Sequence, residues 1–132
     1  VVIAEPVGSC TDLVATVIQP ILQLFDAQFT VAPYGVILKP SHGQRILSGQ
    51  SHAGFSPQAA YIFTKQLEEA DFVLINRIDE LTPQAVDALQ KLIETKARHV
   101  PILRTSAKTG EGFDALVDML EQRSGFGKHI LE

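Results

Sequence analysis

Two apolar runs, each closing on a polar cluster, constrain this chain more than any other feature. Phe72, Val73, Leu74 and Ile75 form an unbroken apolar run, followed by Asn76, Arg77 and Asp79. A strand whose apolar residues do not alternate is buried on both faces, the pattern of a parallel sheet covered by helices. Ile102 and Leu103 lead in the same way into Thr105, Ser106, Ala107 and Lys108, and Gly110 and Gly112 permit a sharp turn into the next helix. Ligands of open α/β sheets bind at the carboxyl ends of the strands. Both polar clusters occupy that position.

Along the chain, strands are expected near residues 1–5, 29–38, 72–77 and 101–106, alternating with helices. The fold class is therefore α/β: a three-layer, mostly parallel sheet with flanking helices, in a single domain over residues 1–132. A helix from about Asp12 to Phe25 carries Pro20, which removes a backbone donor and kinks or divides it. Ser56-Pro57 and Thr82-Pro83 each pair a capping hydroxyl with a proline in the first turn, marking two helix starts. Val86, Leu89 and Ile93 mark the buried face of one helix, and Phe113, Leu116, Val117 and Leu120 that of the last. Lys39 to Ser56, rich in Gly and Ser, is expected to be a loop with short local structure.

Composition excludes several classes of function. The 132 residues are 45% hydrophobic and 20% charged, enough for one packed core. A net charge of -4 without any basic run argues against a nucleic-acid partner. The apolar stretches are far shorter than the roughly 20 residues a membrane span needs, and no signal peptide is visible, so no membrane partner is expected and the cytoplasm is the default compartment. Cys10 stands alone, which leaves no internal disulfide and no structural zinc site, and His42 and His52 read as solvated loop residues.

Asn76-Arg77-Ile78-Asp79 together with Ser106-Ala107-Lys108 resembles the guanine-reading pair of P-loop GTPases, an Asn-Lys-x-Asp motif and a later Ser-Ala-Lys motif. A carboxylate such as Asp79 accepts hydrogen bonds from both the ring N–H and the exocyclic amine of guanine, a pair adenine does not offer. The resemblance implies that the N–H of Ala107 meets the guanine carbonyl. It also implies that Arg77, in place of the family's lysine, stacks its planar guanidinium on the base. The amino-terminal Glu5 and Gly8, delivered at the end of an apolar strand in VVIAEPVG, are similar to the metallochaperone group of CobW, HypB and UreG. By that resemblance Glu5 and Gly8 lie on the catalytic side: Glu5 orients water or metal-bound water, and Gly8 lets the backbone approach the phosphate.

No G-x-x-x-x-G-K-[ST] sequence occurs in the chain. The resemblance then implies the carboxyl-terminal portion of a CobW-like GTPase domain, lacking the P-loop, that binds GTP or GDP with Mg2+ and is not hydrolytic alone. Its family role is metal insertion or assembly of a cobalamin-type metallocofactor, with a metalloprotein client as a possible partner. In that fold the P-loop strand lies between the strand ending at Glu5 and the strand near Thr30 to Leu38. Without it two strand edges stay open, so a homodimer, or a partner chain that completes the sheet, is expected. The alternative is a scaffold or protein-interaction module that keeps the fold without nucleotide.

Overall fold

The computed structural model describes residues 3, 14–25, 27–49 and 56–121. The expected strand at residues 1–5, with Glu5 and Gly8, lies outside the described residues, as do Cys10, His52 and the segment after Glu121.

Three short parallel strands form the sheet: β1 (Gly35–Leu38), β2 (Phe72–Ile75) and β3 (Ile102–Arg104), in the spatial order β1-β2-β3. Gly35 pairs with Phe72 and Leu38 with Ile75, while Val73 pairs with Ile102 and Ile75 with Arg104. The helices are α1 (Gln19–Phe25), α2 (Pro40–Leu47), α3 (Pro57–Glu69), α4 (Pro83–Lys96) and α5 (Phe113–Glu121). The fold is α/β, a parallel sheet flanked by helices, as expected from the apolar runs.

Every residue of β2 is buried, which requires cover on both faces of the sheet. On one face Val73, Ile75 and Leu38 join Leu67 of α3 and Leu89 and Ile93 of α4 in a continuous core, with Val36, Leu47, Phe63 and Ile102 packed against it. The opposite face carries Phe72 and Leu74, beside Gly35 and Ile37 of β1. A side chain on Gly35 would collide with the tip of the Phe72 ring, so the glycine leaves the room that the aromatic occupies beside the neighbouring strand. Ile37 on this face is 69% exposed.

Both expected helix starts are present. Ser56 Oγ accepts from the N–H of Ala59 and Thr82 Oγ1 from the N–H of Ala85, each followed by proline. A π-helical turn at Val14–Ile18 runs directly into α1, whose second residue is Pro20. The widened turn is the local accommodation of the missing proline donor.

Three expectations are corrected. The strand expected from residue 29 begins only at Gly35. Pro33 offers no donor, and the N–H of Tyr34 is given to the carboxylate of Asp71 at 2.9 Å. Pairing therefore starts one residue later. The region Lys39 to Ser56, expected as a loop with short local structure, contains the 8-residue helix α2, which opens on Pro40 one residue after β1. Gly43 of α2 sits so near Leu38 that a Cβ would fall 2.6 Å from its side chain, so the residue that looks like a helix breaker permits close packing. In α5, Phe113, Val117 and Leu120 are 40%, 49% and 44% exposed rather than buried. The apolar spacing identified the helix correctly, but no described element closes over that face.

Candidate functional site

The carboxyl ends of the three strands converge on Asn76. Its N–H donates to the carbonyl of Leu38 at the end of β1, at 3.3 Å. Its side-chain Oδ1 accepts from the N–H of Ala107 at 3.1 Å and from the hydroxyl of Thr105 at 3.4 Å, both beyond the end of β3. The N–H of Thr105 donates to the carbonyl of Ile75 at 2.8 Å, and the N–H of Ile78 to the carbonyl of Thr105 at 3.2 Å. One amide side chain and three backbone bonds therefore fasten the loop after β2 to its two neighbours. Buried backbone groups that leave a ladder need such substitutes.

Asp79 is placed by a short 3₁₀ turn, Ile78–Glu80, that follows β2. The hydroxyl of Ser106 donates to Asp79 Oδ1 at 2.7 Å. Ser106 is fully buried, and its hydroxyl also accepts from the N–H of Thr109 at 3.2 Å. Its backbone is closed on both sides, with its N–H bonded to Glu111 and its carbonyl to Gly110. A rigid serine thus holds one oxygen of a carboxylate that is itself exposed. Among the described residues Asp79 Oδ2 takes no hydrogen bond, so that edge can accept donors from a ligand.

Gly112 closes the loop at φ +80°, and a Cβ there would collide with the carbonyl oxygen of Arg104. Gly110, at φ +82°, has open space around its missing side chain. Gly112 is therefore held by both backbone angle and contact, whereas Gly110 is held by its angle alone. Together they turn the chain from the Ser106–Lys108 segment into α5.

Arg77 adopts a left-handed backbone, φ 65° and ψ 32°. Its Nη2 and Nε both donate to Glu80 Oε1, at 2.7 and 3.2 Å. Lys108 is exposed on the turn after Ala107. The sequence-derived residues Asn76, Arg77, Asp79, Ser106, Ala107 and Lys108 thus lie on two adjoining loops at one sheet edge. One detail differs from the expectation: the N–H of Ala107 is already bonded to Asn76 Oδ1, so a base carbonyl at this position must share or displace that bond. Two residues were not among the sequence candidates. Thr105 ties Asn76 and the end of β2 to the end of β3, and its place directly after the apolar Ile102-Leu103 run was the available signal; Glu80 holds Arg77, and its spacing of three residues from that arginine was the clue.

Among the described residues no group of three or more His, Cys, Asp and Glu side chains is arranged to hold a metal ion. No helix among them is long and apolar enough to cross a membrane.

Over 54 residues, 41% of its length, the chain is 43% identical to a protein named GTPase Obg from Coprothermobacter proteolyticus. The chain spans only 12% of that relative's length. No protein-family profile matches the chain. No solved structure matches it. The likeness relates part of the chain to a GTPase in general and does not reach the metallochaperone group.

Proposed function

We propose that this chain binds the guanine end of a guanine nucleotide at the edge formed by Asn76–Asp79 and Ser106–Lys108. The observation that carries the reading is the Ser106–Asp79 bond of 2.7 Å, which presents a carboxylate with one oxygen held and the other open. Guanine offers two adjacent donors to such a group, the ring N–H and the exocyclic amine. The partial likeness to a protein named as a GTPase supports GTP or GDP as the ligand class. Titration of the purified chain with fluorescent GDP, competed separately by GDP and ADP with magnesium present, tests it. Saturable binding reversed by GDP and not by ADP is the expected result; no binding at millimolar nucleotide overturns the reading.

The finer assignment is a CobW-like GTPase of metal insertion or metallocofactor assembly, acting on a metalloprotein client. Its support is the Glu5 and Gly8 spacing in the sequence. Mg2+ belongs to that assignment; among the described residues no group of three or more His, Cys, Asp and Glu side chains is arranged to hold it. Hydrolysis would need a Gly-rich lysine loop to cradle the phosphates, a sequence that the 132 residues do not contain.

A second reading, a module that binds protein, is favoured by β1. Among the described residues this strand pairs only with β2, and Ile37 beside its open edge is 69% exposed. An open apolar edge invites pairing with another chain. A homodimer, or a partner strand completing the sheet, would satisfy it.

A further inference from the structure

Glu80 holds Arg77 at this edge, a contact that the base-reading residues do not require. The turn Ile78–Glu80 closes with the N–H of Glu80 on the carbonyl of Arg77, at 3.1 Å, and the Arg77 guanidinium reaches the Glu80 carboxylate across that turn. The start of the turn is itself pinned to the neighbouring strand end through Ile78 and Thr105. The left-handed backbone of Arg77 therefore sits in a braced segment.

The bonds to Glu80 use the Nε and Nη2 edge of the guanidinium, and the Arg77 side chain is 46% exposed. A planar cation held by its edge is suited to stack against an aromatic ring, and a lysine, with no plane, is not. We infer that Glu80 is a positioning residue: it fixes the plane of Arg77 before ligand arrives, so that Arg77 offers a pre-oriented stacking surface to the base read by Asp79. This rests on the guanine reading proposed above. At half-exposed positions the ion pair contributes little to folding, so its effect falls on binding. Ordering one long side chain in advance spares the ligand that cost, about two- to tenfold in affinity.

The test is a double-mutant cycle on GDP affinity with the wild-type chain, E80Q, R77A and R77A/E80Q, together with E80D. The Nε–H signal of Arg77 in a proton–nitrogen NMR spectrum follows the ion pair independently of ligand. Glu80→Gln is expected to weaken GDP binding about two- to tenfold and to broaden the Arg77 Nε–H signal. It is expected to have no further effect once Arg77 is alanine, and Glu80→Asp, which keeps the carboxylate, is expected to recover part of the loss. Wild-type affinity in E80Q, or an equal loss from E80Q with and without Arg77, overturns the positioning role while leaving guanine binding intact. A wild-type chain that binds no GDP overturns both, and the Nε–H signal then reports only a surface ion pair.

Discussion

Ser106 and Asp79 stand 27 residues apart in sequence and 2.7 Å apart at the sheet edge, hydroxyl to carboxylate. The serine contributes no open edge of its own, since its hydroxyl also accepts from Thr109 and its whole surface is buried. Its effect on a ligand passes through Asp79.

Exchanging the acceptor pattern of Asp79 should exchange the base that is bound. Asparagine at this position presents one acceptor and one amide donor, which suits xanthine, whose carbonyl replaces the exocyclic amine of guanine. D79N is expected to weaken GDP binding by about tenfold or more, a lost charged hydrogen bond being worth about 1.5–3 kcal/mol, and to improve xanthosine diphosphate relative to GDP. Competition titration with both diphosphates reads this directly.

Ser106→Ala removes both hydroxyl bonds from a buried position. The N–H of Thr109 loses its acceptor, and Asp79 is freed to rotate. Urea unfolding should show a loss of about 1–2 kcal/mol, and GDP affinity should fall even where the variant remains folded. An unchanged affinity in a folded variant would mean that Asp79 does not need its serine.

Of the two loop glycines, Gly112 should tolerate substitution less than Gly110. Alanine at either position meets a left-handed backbone, but at Gly112 it also meets the Arg104 carbonyl. G112A is expected to cost about 1–3 kcal/mol, and G110A about 1 kcal/mol. Parallel thermal melts of the two variants compare them.

Ile37 separates the stability of the fold from association with another chain. Its side chain is mostly in solvent, so I37E should change the urea midpoint little. If β1 pairs with a second copy, light scattering will show a concentration-dependent dimer in the wild type and its loss in I37E. A wild type that stays monomeric at every concentration removes the homodimer.

Much of this edge was legible because its signals are local in the chain. The unbroken Phe72–Ile75 run, the Asn76 and Asp79 spacing and the Ser106-Ala107-Lys108 segment each lie within a few residues, and the structure brings them to one edge. The capped prolines at Ser56 and Thr82 located two helices for the same reason. What escaped depended on contacts that periodicity does not show. The start of β1 is decided by Asp71, 37 residues beyond Tyr34, and α2 by the close fit of Gly43 against the Leu38 side chain, which a Gly- and Ser-rich stretch does not announce. The exposed face of α5 carries the spacing of a core helix, and periodicity alone does not say whether a neighbour covers it.

The parallel order of the sheet has a kinetic consequence. With no hairpin between neighbouring strands, each pairing must close a loop of roughly thirty residues, as in the separations of 27 and 31 that join Asp79 to Ser106 and Asn76 to Ala107. Such non-local contacts form slowly, because loop-closure entropy is spent before any bond returns it. Asn76 touches the ends of all three strands, so its contacts are complete only when every crossover has been made. A ligand bound at this edge would hold the three strand ends together, and slower unfolding of the whole sheet would be its expected effect.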